Sequence, residues 1–425
     1  MSELIVAKFG GTSAAQPQVV MDHIQSRQLE VTVVSAAGSD EGQPRSARMT
    51  KILESDLDSE RLRKTVANRL GVIGSRADID VDSYLSRADQ DLAEWDPGTR
   101  AALGEKWSAE LFVSGLQTRG VDAEFADPRD FIRFDSHSGK LDTLATYGLT
   151  RERLGTIAAT KTVIVPGFYG ADEAGNVHVL PTGGSDLTGA LIARALGAAE
   201  YQNWSDVDGY YTADPRLFPT ASQIAAMTYA EKRELGNGGN GLLHRQVSKI
   251  LEGHGIPTRM LNTFSTEAGL TLISDSRETV DTVPIVGVTL QKMIELRLTA
   301  RDEKAGETVR IYQKLDTAGI PYKHVTTATD ALSVFLDEEY ADAAHAALHG
   351  EIEDSSRVDA IHVVGEGLRA RQSRLHAIAI ESRLLGAQIL DRGEVNMGQL
   401  PSKTYMVPSG DGEAAVVAII DGIAV

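Results

Sequence analysis

The residues of this chain that could do chemistry gather in three loops. The first, Lys8-Phe9-Gly10-Gly11-Thr12-Ser13, sets a cation beside two glycines. Glycine admits close backbone approach, so successive N–H groups can converge on an oxygen anion, and a helix opening there adds positive potential. The lysine precedes the glycines, so this is not a Walker A loop. The second, Thr182-Gly183-Gly184-Ser185-Asp186, precedes the amphipathic stretch Leu187–Leu196 and predicts a helix capped by Ser185 or Asp186. Singly, each reads as an ordinary turn. Together, a turn with Lys8 and a turn with Asp186 make the facing pair that phosphoryl transfer needs: N–H donors and a cation around the transferring oxygens, with magnesium bridging the outer phosphates. The third loop, Trp204 to Arg216, is dense in turn formers and carboxylates. Asp206, Asp208 and Gly209 loosely imitate a calcium loop, but Leu217 falls where the bidentate glutamate of an EF-hand would stand. A base or ribose contact suits it better, with Arg216 reaching a phosphate.

Strands must hold these loops. Leu4–Ala7 reads as a buried strand running into the first glycine pair, Val31–Val34 as a second ending in Ser35-Ala36-Ala37-Gly38, and Thr162–Val165 as a third ending in Pro166-Gly167. Short apolar runs separated by helical patterns predict an α/β fold, a mostly parallel sheet flanked by helices, with ligands at the carboxyl ends of the strands. The stretch Thr50 to Leu92 alternates charges and predicts exposed or lid-like helices. Glu267-Ala268-Gly269 and Ser274-Asp275-Ser276-Arg277 read as a last strand and a connector. Beyond Val283 the elements shorten and repeat, which predicts two βαββαβ units. The domain reading is a catalytic body over 1–280 and small units over 284–350 and 357–425.

Composition excludes more than it selects. With 425 residues, 60 acidic and 42 basic side chains, the formal net charge is 42 − 60 = −18. Such a surface repels nucleic acid and anionic membrane unless basic residues cluster, and none do. The absence of cysteine removes disulfides, thiolate nucleophiles and Cys-type metal sites. No stretch predicts a secretion signal or a membrane span, so the expected compartment is the cytoplasm.

Taken in order, KFGGTS at Lys8, VVSAAG at Val33, GEKWSAELF at Gly104, GGSDLTGALIARAL at Gly183, SDVDGYYTADPR at Ser205 and GIPTRMLNTF at Gly255 resemble the aspartate kinases (aspartokinases) of the amino-acid kinase family. The tail is similar to that family's tandem ACT domains, through Tyr322–Thr326 with Ala331–Val334, and His362–Gly367 with Glu394–Met397. The resemblance implies an amino-acid kinase fold followed by two ferredoxin-like ACT domains. It implies a cytoplasmic, ACT-regulated kinase that transfers phosphate from ATP, with magnesium, to the side-chain carboxylate of L-aspartate, as the first step of lysine, threonine and methionine biosynthesis. Carried over by position, Lys8 neutralises the transferring phosphoryl group, Gly10 and Gly11 donate to it, and Asp186 orients Lys8 or the magnesium, which ATP carries. Ser35, Thr50, Glu105, Gly183, Gly184 and Ser185 fall where the family holds aspartate, with Glu105 on its amino group. Ser205, Asp206, Tyr211 and Arg216 fall where it holds the nucleotide. The ACT pair implies a homodimer or higher homo-oligomer and an effector such as lysine or threonine.

Two positions depart from the family. Thr182 stands where an arginine of the family's GRGGSD loop grips a substrate carboxylate, and losing such a grip weakens binding by roughly 1.5 to 3 kcal/mol. Arg245 is one substitute. Gly241 stands where the family's GAKVLH segment has a lysine near ATP. A kinase for another carboxylate metabolite and a weakly active, amino-acid-binding regulatory paralogue are the alternative readings. The effector turn, Asp302 to Glu307, names no ligand.

Overall fold

The computed structural model describes residues 4–38, 48–77, 79, 81–96, 99–181, 183–265, 270–278, 285–299, 305–327, 331–369 and 401–423. The sequence features at Thr182, 267–269, 302–304, 372–391 and 394–397 lie outside them. The chain forms two compact units, Met1–Gly209 with Leu243–Asp275, and Tyr210–Leu242 with Ser276–Val425.

In the first unit, β1 (Ile5–Phe9) is followed by the short α1 (Gly11–Ala14), α2 (Pro17–Arg27) and β2 (Val31–Val34). Next come α3 (Met49–Leu53), α4 (Ser59–Ala77), α5 (Asp82–Glu94), α6 (Leu103–Thr118), β3 (Ala123–Phe125), α7 (Thr143–Ile157) and β4 (Thr162–Pro166). A hairpin of β5 (Tyr169–Ala171) and β6 (Val177–Val179) leads to α8 (Gly184–Leu196) and β7 (Glu200–Ser205). The chain then contributes β8 (Ala226–Thr228) and α9 (Tyr229–Asn237) to the second unit, and returns with α10 (Arg245–Leu251), β9 (Thr258–Asn262) and β10 (Thr271–Ser274).

Strands of the first unit lie in the order β3-β4-β2-β1-β7-β9-β10. All these neighbours are parallel except β10, which runs antiparallel to β9. Because the chain builds β2, β4 and β3 on one side of β1 before crossing to β7 on the other, the strand order reverses beside β1, where open α/β sheets bind ligands. Strand residues alternate faces, which decides what β1 presents. Ala7 and Phe9 face a core with Val20 and Met21 of α2 and Phe112 and Leu116 of α6, in which each of the larger side chains contributes about 1.5 to 3 kcal/mol when fully buried. Lys8 therefore points to the other face, where α8 packs on β1.

The charge-rich stretch after Thr50 is less exposed than its pattern predicts. Leu62, Val66, Leu70 and Ile73 of α4 recur at helical spacing and join Ile52, Ala88, Leu92, Trp95 and Trp107 in one buried cluster. Sparse apolar residues suffice because they share one stripe.

The second unit continues with β11 (Gly287–Thr299), α11 (Ala305–Thr317), β12 (His324–Thr327), β13 (Ala331–Asp337), α12 (Ala341–Ala347), β14 (Ile352–Val364), β15 (Ser402–Pro408) and α13 (Gly412–Ile423). These strands form one antiparallel sheet, β12-β13-β11-β14-β15. It carries two apolar cores. Ile294, Leu296 and Leu298 pack with Ile311 and Leu315 of α11 and Ala344 beside Leu348. Ile285 and Val288 instead pack with Ile361, Val363, Val407 and Val416, Ile419 and Ile420 of α13. The first half of β11 thus serves the core completed last in the chain, so the two small units are nested rather than strung end to end at 284–350 and 357–425. Alternation marks a strand's buried face; it does not say which strand lies alongside. Ala213 and Phe218, read from sequence as part of the catalytic body, belong to this second core. At the base of α9, Glu231 is wholly buried, accepts from Thr228 in a capping box, and pairs with Arg277 at 2.6 and 2.8 Å.

Candidate active site

Lys8 is the last residue but one of β1, in register with Asn203 of β7. Its ammonium lies 2.5 Å from Oδ1 of Asp186, in the first turn of α8, and both side chains are nearly buried. The same carboxylate oxygen accepts from the Asn203 amide at 2.9 Å, and the Tyr201 hydroxyl donates to the Asp186 carbonyl at 3.3 Å. A buried ion pair is tolerable only when further hydrogen bonds satisfy its members, and Asn203 supplies one. Sequence reading pairs Lys8 with Asp186 but misses Asn203 and Tyr201. The available signal was a pair of amides, Gln202 and Asn203, between the two large aromatics of a strand that is buried throughout Tyr201–Trp204.

The glycine turns flank this pair. Gly10 opens α1 with extended backbone that any residue adopts, and its N–H donates to the Trp204 carbonyl at 3.0 Å. The glycine requirement falls on the next residue: a Cβ on Gly11 would stand 2.9 Å from the Ala36 carbonyl oxygen. At the other turn Gly183, not Ser185 or Asp186, caps α8, with φ of 82° that favours glycine. That shift of the helix start puts Gly184, Ser185 and Asp186 inside the first turn, Ser185 and Asp186 both nearly buried. The His244 ring packs so close that a Cβ on Gly183 would stand 2.7 Å from it, which places exposed Arg245 one residue further on, at the start of α10.

Across the turn after β2, Ser35 donates its N–H to the Phe9 carbonyl at 3.1 Å, and Ala37 donates to the Ser108 hydroxyl of α6 at 3.2 Å. Ala37 also accepts from Met49 at 3.1 Å, which brings α3, with half-buried Thr50, against the same turn. Glu105, in the first turn of α6, is 5% exposed and its Oε2 has no hydrogen-bond partner. Burial pushes its carboxyl up to about 8; the Ala36 N–H and Lys8 pull the other way without cancelling it. A buried carboxyl with a vacant oxygen and a nearby ion pair suits a cationic group on a ligand.

The third loop divides between the units. Ser205, half-buried at the end of β7, accepts from the Thr263 N–H at 2.8 Å; Asp206 is exposed, and Asp208 is held by the Asn262 amide at 2.6 Å. Tyr211 and Arg216 belong to the second unit. Tyr211 is half-buried and bridges Gln223. Arg216, expected to reach a phosphate, is instead held by Asp214 at 2.6 and 3.0 Å. Two residues of separation allow that local grip, and it competes with any distant anion. Among the described residues no group of three or more acidic or histidine side chains could hold a metal ion, and no helix is long and apolar enough to cross a membrane.

A parallel sheet whose strand order reverses beside a Lys–Asp pair, with glycine turns on both flanks, is an arrangement suited to phosphoryl transfer by alignment and charge neutralisation. The chain belongs to the amino acid kinase family, whose sequence profile matches residues 3–262. It is 26% identical over 431 residues to aspartokinase 3 of Bacillus subtilis (strain 168), covering 92% of this chain and 91% of that one. Its fold is that of the crystal structure of Clostridium acetobutylicum aspartate kinase, with a TM-score of 0.87 at 24% identity over 99% of this chain and all of the other. It is also that of E. coli aspartokinase III in complex with lysine and aspartate, with a TM-score of 0.81 at 23% identity and the same coverage.

Proposed function

We propose that this chain is an aspartate kinase. A side-chain carboxylate oxygen of L-aspartate attacks the γ-phosphorus of ATP, the bond to the β-phosphate oxygen breaks, and 4-phospho-L-aspartate and ADP leave. The carboxylate is already a nucleophile, so no general base is needed. The observation that carries the reading is Glu105: a buried carboxyl with a vacant oxygen, beside the Lys8–Asp186 pair, is a seat for an amino acid's ammonium group.

In this reading Lys8 neutralises the transferring group, Gly10 and Gly11 donate to it, and Asp186, fixed by Asn203, aims Lys8. Ser35, Thr50, Gly183, Gly184 and Ser185 line the aspartate side; Ser205, Asp206 and Tyr211 contact the nucleotide. Arg216 would reach a phosphate only by leaving its exposed pair with Asp214, a partner weak enough to be displaced. Asp186 is already paired with Lys8, which fits a magnesium ion held chiefly by the nucleotide. That ion would offset charge on the outer phosphates. The product would feed lysine, threonine and methionine synthesis in the cytoplasm. The C-terminal sheet would serve a homodimer and an amino-acid effector, lysine or threonine.

Thr182 favours a second reading, a kinase for another carboxylate metabolite, because threonine cannot make the two-pronged grip of an arginine. Purified protein with Mg-ATP and a panel of amino and carboxylic acids, trapped with hydroxylamine as the coloured hydroxamate, tests both. Signal with aspartate supports the first reading and signal with another carboxylate alone the second. Silence throughout sinks both and leaves a regulatory paralogue.

A further inference from the structure

One charged side chain of α4 lies in its apolar stripe. Arg69 stands between Val66, Leu70 and Ile73 and is 7% exposed. A guanidinium there is costly unless hydrogen-bonded, and a leucine would continue the stripe without that cost. Its guanidinium donates to the carbonyl of Gly38. Gly38 closes the turn Ser35–Gly38, and its own N–H donates to the Gly11 carbonyl at 2.7 Å. The two glycines touch through backbone alone: a Cβ on Gly38 would stand 2.8 Å from the carbonyl carbon of Gly11. The same turn is fastened to β1 through Ser35 and to the Glu105 helix through Ala37 and Ser108.

We propose that Arg69 is a positioning residue for the glycine turn that follows Lys8. It acts through Gly38, pressing that backbone against Gly11 and holding Gly11 in place relative to Lys8 and to the α6 terminus that bears Glu105. The role deepens the phosphoryl-transfer reading and rests on it for its effect on rate. Charge-assisted bonds are about twice as strong as neutral ones, so the carbonyl of Gly38 loses its firmest tether when Arg69 is removed. A misplacement of ~1 Å far from the chemistry can cost a hundredfold in rate, while contacts equal in ground and transition states are spared. The signature is therefore a fall in kcat without a matching change in KM.

Arg69→Met in the full chain is the test. Its kcat should fall roughly tenfold to a hundredfold, with both KM values within about threefold and the melting temperature within a few degrees of the parent. Hydrogen exchange, read by mass spectrometry on peptides covering β1 with α1 and β2 with its turn, should quicken. A folded Arg69→Met with parental kcat overturns the role. If that variant does not fold, Arg69→Gln, too short to reach Gly38 but polar, takes its place under the same criteria. Arg69→Lys retains a donor and should recover part of kcat; recovery no better than with methionine would show that the hydrogen bond is not what matters. The exchange measurement needs no substrate. Unchanged exchange in both peptides therefore overturns the coupling even if the hydroxamate panel is silent, whereas silence with quickened exchange overturns only the kinase reading.

Discussion

Replacing Glu105 with glutamine should erase a pH dependence that the parent chain carries. Burial raises this carboxyl from 4.5 to about 8, a displacement worth roughly 5 kcal/mol. In the folded chain Glu105 keeps its proton up to about pH 8, while the unfolded chain loses it near 4.5. Unfolding therefore releases a proton between those values, and stability should decline as pH rises from about 4.5 to about 8, then level off. A substrate ammonium reverses the preference, because it pairs with the ionised form. If only ionised Glu105 binds, a group titrating at about 8 makes the aspartate KM fall about 50-fold between pH 6 and pH 8. The assay is initial rate against aspartate concentration at saturating Mg-ATP across that range, with melts on the same samples. Glu105→Gln should show a high, pH-independent KM and a flatter stability profile. A parental KM that stays level over this range, or a slope that survives in the variant, would refute the seat assigned to the ammonium.

Lys8→Ala should lower kcat by at least about a hundredfold, the scale for removing one stabilising group at a developing charge, with an unchanged circular-dichroism spectrum. Retention of a tenth of parental kcat would sink the role of Lys8. Thr182→Arg should lower the aspartate KM by roughly tenfold or more if the pocket is otherwise of family type; an unchanged KM would place the substrate carboxylate elsewhere, with Arg245 the next residue to test. Arg277→Met strands the wholly buried Glu231 and should cost roughly 3 to 5 kcal/mol in urea unfolding, with Glu231→Gln in the same chain restoring part of it. A cost below about 1 kcal/mol would mean that this pair is solvated in solution.

The fold class and the places where a ligand could sit are written in local pattern. Apolar runs such as Val31–Val34, separated by helical stretches, specify buried parallel strands, and glycine pairs behind Lys8 and Pro181 mark where backbone must approach something closely. Both signals depend on a few neighbouring residues, so the sequence carries them alone. Helix starts are less legible. Ser185 and Asp186 have the chemistry of caps, yet Gly183 takes the cap because its positive φ lets the chain turn into α8 earlier.

Partner choice belongs to the tertiary structure. Asn203 beside Lys8 follows from the register of β1 against β7, which no window of sequence reports. Glu105 reads as one more acidic helix residue until α6 packs and desolvates it. Charge alternation in α4 suggests water on every side, but four apolar residues at helical spacing turn one face inward and carry Arg69 with them. Likewise β11 alternates correctly along its length, yet only the assembled sheet assigns its halves to different cores. Sequence by itself determined which residues could bind phosphate and on what kind of sheet. Folding decided which charges lose water and which backbone each one holds, because burial and contact arise from residues far apart in the chain.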